Sequence, residues 1–181
     1  MALSASLTSL VFYENKPAIM PIIRDATPSD LSSLTKLRNA PKQLHRYLSE
    51  ADGEGIRFLV YEQDNEIRGF AILFLRQPVQ GSPKSHIPKI SDLYVAQRFR
   101  AMGIGTVMIA RMEELAVAFG HKVMHVGVDP VDNPRALALY ERLGYVPISA
   151  PQQKQAIFYD EAGNATERGY WNINLRKQLT D

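Results

Sequence analysis

The chain contains no cysteine among its 181 residues. That excludes a disulfide framework, a cysteine-ligated zinc and an acyl-enzyme on a thiol. It also has no apolar run near the ~20 residues a membrane helix requires, so no membrane span is expected. Net charge is small: 21 Lys and Arg against 19 Asp and Glu leave +2, which gives no argument for a nucleic-acid partner. The four histidines, His45, His86, His121 and His125, lack metal-ligand spacing, so no metal is expected. A cysteine-free chain fits the reducing cytoplasm, the location expected here, and composition is otherwise that of an ordinary globular protein.

Length fits one domain with a sizeable core. Residues 1–19 are rich in Ser, Ala and Leu, and no basic segment precedes the apolar stretch at 7–12, which argues against a secretory signal. Residues 20–30 read as a domain start in their own right. The expectation is an N-terminal extension over 1–19, with its structure left open, and a single domain over 20–181. A homodimer is allowed by the sequence and not required by it.

Along the chain, 21–24 reads as a strand. Thr27, Pro28, Ser29 and Asp30 then supply turn and N-cap chemistry ahead of Leu31, Leu34 and Leu37 at helical spacing. Pro41 opens a second helix, broken by the Gly-containing run at 50–55. Segments 58–62 and 67–75 read as a hairpin around a polar turn. Three prolines and one glycine mark 77–88 as a loop, and 90–95 as the next strand. Ile104, Met108, Met112, Leu115 and Phe119 form one apolar stripe of a helix. Residues 123–128 alternate as a strand, and Asn133 followed by Pro134 opens a further helix that Gly144 stops. Segments 156–159 and 169–175 read as a closing hairpin joined by a loop over 160–168. Strand, helix, strand over 90–128 implies a parallel pair with a right-handed crossover. The fold class is therefore α/β (α+β): a mixed sheet flanked by helices.

Two glycine-anchored motifs carry the chemistry. The first is Arg100, Ala101, Met102, Gly103, Ile104, Gly105, Thr106, between strand and helix. A loop of backbone N–H groups opening a helix is an anion site, because those donors lack intrahelical partners and the dipole adds positive charge. The glycines remove side chains that would hold a diphosphate away. The second runs from Asn133 through Ala136 and Tyr140 to Gly144 and Tyr145. Tyr140 lies two helical turns after Asn133 and on the same face. A plainer account of Gly103 and Gly105 is a tight strand-to-helix turn, and of Tyr140 a buried aromatic. A dinucleotide fingerprint would need a third glycine where Met108 stands; Asp129 meets its acidic requirement only loosely.

Taken together, the two motifs resemble those of the GNAT superfamily of acyl-CoA N-acyltransferases, strongly over 90–145 and more weakly over 20–176. The resemblance implies a mostly antiparallel twisted sheet with a central parallel strand pair. It also implies acetyl-CoA as co-substrate, and an amine-bearing acceptor attacking directly in a ternary complex. It assigns Arg100, Ala101, Met102, Gly103, Ile104, Gly105 and Thr106 to the pyrophosphate, and Asn133 and Ala136 to the cofactor as well. Backbone groups of Leu93, Tyr94 and Val95 go to the pantetheine arm, with Val95 as donor to the thioester oxygen. Tyr140 matches the family's general acid, protonating the leaving thiolate.

An amine with a pKa of about 10 must lose a proton before it attacks. Asp92, reading as though it points with Ile90 and Tyr94, is the candidate base. Some relatives carry a glutamate one residue earlier, where this chain has Ser91, and a structural role for Asp92 stands equally open. Arg98 reads as a solvated charge, His125 as a packed or solvated strand residue, and the acidic run at 50–54 as a solvated loop. The rival functions are a catalytically silent CoA-binding or sensory domain and a nucleotide-binding oxidoreductase module.

Overall fold

In a computed structural model, residues 20–79, 82–159 and 165–180 are described; the expected extension over 1–19 lies outside them. The elements run β1 (Ile22–Asp25), α1 (Leu31–Leu37), α2 (Pro41–Glu50), β2 (Ile56–Gln63), β3 (Glu66–Val79), β4 (Ser82–Val95), α3 (Ile104–Ala118), β5 (Val123–Val128), α4 (Pro134–Arg142), β6 (Val146–Pro147), β7 (Gln152–Tyr159) and β8 (Ala165–Gln178). Strand order across the sheet is β1-β2-β3-β4-β5-β8-β6, with β7 paired to β8. Among the described residues only β4 and β5 pair in parallel. The expected mixed, mostly antiparallel sheet is what forms.

Two cores cover the two faces. Leu59, Leu73, Ile90, Met108, Met112, Met124, Val126, Tyr140 and Leu175 pack together beneath α3 and α4. Leu34, Leu44, Tyr47, Phe58, Phe70 and Ile72 pack beneath α1 and α2. Each fully buried Leu or Phe contributes about 1.5–3 kcal/mol against leaving it exposed. The α3 stripe is buried as its periodicity predicts except for Phe119, which caps the helix and is 39% exposed. Ile109 and Ala116 widen the stripe.

Several boundaries differ from the sequence reading, among them the start of β7 at Gln152 instead of 156. Residues 77–79 and 82–88, read as loop, belong to a long β3–β4 hairpin; its ladder shifts register at 74–77 and again at 78–79, so the prolines sit beside irregularities that need no ladder donor. Residues 165–168, read as connecting loop, are strand, while 160–164 lie outside the described residues. The short β6 was not expected; it pairs Val146 with Arg176.

The third ladder irregularity in β4 matters most. Ile72 faces Asp92, but the next pair is Leu73 with Ile90, so Ser91 is an extra residue. A bulge of this kind reverses which side chains face which layer. Ile90, Leu93 and Val95 therefore pack toward α3, while Tyr94 packs toward α1 and α2. Asp92, opposite Ile72, shares the face of Tyr94. The expectation that Asp92 points with Ile90 is corrected: uninterrupted alternation does not survive Ser91.

At the other edge, Asp30 folds back on the turn that precedes α1. It accepts from the Thr27 N–H at 2.7 Å and from both Arg24 nitrogens at 2.8 and 2.9 Å, while Arg24 also reaches Glu62. The Arg24 guanidinium, against the opposing cost of burial, holds the Asp30 carboxyl down at about 2. A carboxyl depressed this way adds stability above its ordinary value near 3.8 and loses it as pH falls toward 2. Asp30→Asn should cost about 1–3 kcal/mol at neutral pH, the range for charge-assisted hydrogen bonds. Denaturant unfolding should show the deficit against wild type shrinking between about pH 4 and pH 2; a deficit constant with pH would refute the assignment.

Candidate functional site

Strands β4 and β5 pair at Lys89 with His125 and at Ile90 with Val126, and at no further positions among the described residues. Beyond Ile90 the two strands part. The Ala96 N–H donates to the Arg68 carbonyl across β3 at 3.0 Å. Peptide groups alternate sides along a strand, so the N–H and C=O of Val95 face away from β3, into the parted side, as do those of Leu93. Tyr94, between them, pairs with Phe70. Arg100 Nε donates to the Val95 carbonyl at 3.0 Å, and its guanidinium stands over the Tyr94 ring, 5.8 Å from the centroid. That places Arg100 at the mouth of the cleft, folded back on β4.

The glycine loop follows directly. Ala101 and Gly103 both take left-handed conformations, with φ of 63° and 83°, and Gly103 is the N-cap residue of α3. The left-handed region costs a non-glycine residue roughly 1–2 kcal/mol. A Cβ on Gly103 would meet nothing within 4 Å, so glycine there serves conformation and leaves open space above the helix N-terminus. Gly105 differs: its Cβ would come 3.3 Å from Leu139 Cδ2 of α4. Gly105 thus lets α3 and α4 approach, and the open space above the helix N-terminus rests on Gly103. Met102 is exposed at 65%, Ile104 is buried in the α3 core, and Thr106 is half-buried in the first turn.

Across the cleft, Asn133 occupies the N-cap position of α4 but its side chain makes no capping bond. The turn before it is held by Asp129, whose Oδ1 accepts the N–H groups of Val131 and Asp132 at 2.9 and 3.0 Å. The Asn133 amide is therefore exposed and uncommitted, and Ala136 packs against the α3 side of the core. Tyr140 is 4% exposed and meets Tyr145 edge-to-face at 5.3 Å. A left-handed Gly144 ends the helix: the N–H groups of Gly144 and Tyr145 return to the carbonyls of Glu141 and Tyr140, and this fixes both rings. Burial, and then the nearby charge of Asp92, pushes the Tyr140 phenol well above its ordinary value. The phenol is a proton donor, not a phenolate, at neutral pH.

Asp92 sits in a network that sequence patterning did not reveal. Arg38, after α1, donates to Asp92 Oδ2 at 2.7 Å and to Gln43 at 2.8 Å. Gln43 bonds the Tyr47 hydroxyl, which reaches Asp92 Oδ2 at 3.3 Å. Phe70 and Tyr94 stack on each other at 5.6 Å, and the guanidinium stands beside that pair, 5.6 and 5.8 Å from the two centroids. Arg38 and Asp92 are 54 positions apart, and no local motif marks the pair. Arg98 pairs with Glu66 and stacks on Phe99, outside the cleft. In the acidic run, Asp52 Oδ1 accepts the N–H groups of Glu54, Gly55 and Ile56; it builds the turn.

Among the described residues no group of His, Asp or Glu could hold a metal ion, and no helix is long and apolar enough to cross a membrane. The family model for the acetyltransferase (GNAT) family matches residues 17–145. The chain is 33% identical over 103 residues to an aminoglycoside N(6')-acetyltransferase type 1 from Stenotrophomonas maltophilia, covering 53% of this chain and 67% of that one. An uncharacterized N-acetyltransferase of Methanocaldococcus jannaschii is 29% identical over 100 residues, covering 55% of this chain and 42% of that one. Among solved structures, a ribosomal-protein-alanine N-acetyltransferase from Brucella melitensis superposes with a TM-score of 0.68 at 23% identity, over 87% of this chain and 99% of that one. An acetyltransferase-like protein of Salmonella typhimurium, solved with its cofactor acetyl-CoA, gives 0.65 at 19% identity over 89% and 95%. With a family match over most of its length and the parted parallel pair in place, the chain belongs to the GNAT acetyltransferase family.

Proposed function

We propose that this protein is an N-acetyltransferase that moves an acetyl group from acetyl-CoA to a primary amine by direct attack in a ternary complex. The observation that carries the reading is the convergence of three features on one cleft. These are the outward-facing peptide groups of Leu93 and Val95, the left-handed loop that opens α3, and the buried protonated phenol of Tyr140.

In this reading the N–H groups of Gly103, Ile104, Gly105 and Thr106 hold the pyrophosphate at the helix N-terminus, with Ala101, Met102 and Arg100 shaping the loop. Asn133 and Ala136 line the opposite wall. Leu93 offers β-type hydrogen bonds to the pantetheine arm; the Val95 carbonyl is taken by Arg100, and the Val95 N–H holds the thioester oxygen as charge develops there. Tyr94 anchors Arg100 by its ring. The acceptor nitrogen bonds to the acetyl carbon, the carbon–sulfur bond breaks, and the sulfur takes the Tyr140 proton. The proton lost by the amine goes to Asp92 directly or through water. Arg38 and Tyr47 both occupy Oδ2 of Asp92, so Oδ1 faces the incoming ammonium. The named relatives act on an aminoglycoside and on ribosomal-protein alanine; both are amine acceptors, consistent with the reaction class proposed here.

Gly103→Glu should weaken acetyl-CoA binding at least tenfold, about 1.4 kcal/mol or more, because it adds bulk, backbone strain and like charge where the diphosphate sits. Gly103→Ala adds only a methyl and should retain binding while costing about 1–2 kcal/mol of stability from its left-handed φ. Calorimetry with a folded Gly103→Glu variant that binds as wild type would sink the loop assignment.

Tyr140→Phe keeps the ring packing and removes the proton. Acetyl-CoA affinity should hardly change, while turnover falls by about 10²-fold or more. Because burial raises the phenol, the wild-type rate should show no loss attributable to Tyr140 below about pH 10. A Phe variant with wild-type turnover would leave Tyr140 as packing alone.

With no cysteine to carry an acyl group, intact-mass measurement after acetyl-CoA alone should reveal no stoichiometric acetyl adduct, and initial-rate lines should intersect. Parallel lines together with an adduct would replace direct transfer by a covalent route.

A further inference from the structure

Lys89 on β4, His125 on β5 and Arg176 on β8 stand side by side across three strands: Lys89 is opposite His125, and His125 is opposite Arg176. Their chain neighbours Ile90, Met124, Val126 and Leu175 are buried under α3 and α4, so the row lies on the other face. That is the face on which Asp92 meets Arg38 and Tyr47. The row crosses the sheet at the closed end of the cleft, immediately before β4 and β5 part.

Nothing within the described protein neutralises it. None of the three forms an ion pair with an acidic side chain among the described residues. Lys89 and His125 are half-buried, and the His125 Nδ1 is buried without a hydrogen-bond partner. Burial, then the charge of Lys154 on β7, pushes the Lys89 ammonium down; burial, then Arg176 and Lys89, pushes the His125 imidazole down against an opposing hydrogen bond to the Pro88 backbone. Like-charged residues directly opposite one another destabilise a sheet, and a half-buried charge without a partner costs free energy.

The same face continues as a polar floor. Two residues beyond His125 is Gly127, and two and four before Arg176 are Asn174 and Asn172. Asn172 Nδ2 donates to Asn174 Oδ1 at 3.1 Å, and Asn172 Oδ1 lies 2.8 Å from where a Cβ on Gly127 would be. The missing side chain lets a buried amide settle against β5 beside the cationic row.

We propose that Lys89, His125 and Arg176 form an anion subsite in the acceptor pocket, and that the acceptor is a small amine bearing a carboxylate or phosphate group. The proposal rests on the acetyl-transfer reading above. Lys89 and Asp92 lie opposite Phe74 and Ile72, two residues apart on β3 because Ser91 bulges, a span of about 7 Å at ~3.3 Å per residue. A small amino acid or aminophosphonate has the size to place its anion against the row and its nitrogen beside Asp92. Arg176 presents a planar fork suited to two oxygens of one anion. A polycationic amine would meet three cationic or cation-flanked side chains, with Asp92 already paired to Arg38.

Two measurements test this. In the first, inorganic phosphate is titrated into CoA-saturated protein while the four histidine ring resonances are followed by NMR. His125 should shift saturably, and the shift should be lost in Arg176→Gln. In the second, acetyl transfer is compared for β-alanine and aminopropylphosphonate against propylamine and diaminopropane. The anionic amines should be favoured by about tenfold or more in kcat/KM, with the carboxylate and phosphonate arms showing which anion fits. Lys89→Gln and Arg176→Gln should remove the preference through KM while acetyl-CoA affinity, measured separately, stays as in wild type. His125 unmoved by phosphate overturns the subsite, and so does a preference for propylamine, diaminopropane or an acidic peptide over the small acids. If no amine reacts, the phosphate titration decides alone. Failure of acetyl-CoA to bind would instead remove the acetyl-transfer reading, which calorimetry shows independently.

Discussion

Backbone N–H and C=O groups inside a sheet do not remain unpaired without cost. Here β4 and β5 pair at two positions and then separate. The bulge at Ser91 makes the separation usable, because it turns Asp92 to one face while Leu93 and Val95 keep their packing on the other. The peptide groups exposed along the parted edge are strand-like donors and acceptors waiting for an extended amide-bearing partner. The pantetheine arm proposed as that partner has this character.

Charge is arranged with the same economy of placement. In the proposed complex the phosphate end of the cleft relies on N–H groups and a helix end, and Arg100 is spent on the Val95 carbonyl. The proposed reaction end holds a phenol kept protonated by burial and a carboxylate held by a guanidinium that rests beside the stacked rings of Phe70 and Tyr94. Arg38 thereby links α1, β3 and β4 at the point where the acceptor nitrogen would arrive. Its removal would free Asp92 in position as well as in charge, so Arg38 is a positioning residue for the proposed base.

Much of this was legible in the sequence. Glycines at 103 and 144 carry conformations that few other residues accept, and both occur where the patterning put them. The α3 stripe and the alternation of β5 followed from burial of one face. The β3–β4 hairpin was not legible, because prolines are strong loop signals and the register shifts that accommodate them leave no mark. The bulge at Ser91 was equally silent, since serine needs no special backbone there. Arg38 and the Lys89, His125 and Arg176 row depend on contacts between residues far apart in the chain. Gly105 was legible as a glycine, but its neighbour Leu139 comes from the next helix.

The central claim is that acetyl-CoA lies along the parted edge of β4 with its pyrophosphate on the α3 N-terminus. Amide hydrogen exchange, with and without saturating acetyl-CoA, addresses it at the backbone groups themselves. Protection should rise over residues 93–106, while 56–75, already paired within β2 and β3, should be unchanged. Full saturation with no added protection over 93–106, or with protection concentrated elsewhere, would contradict it.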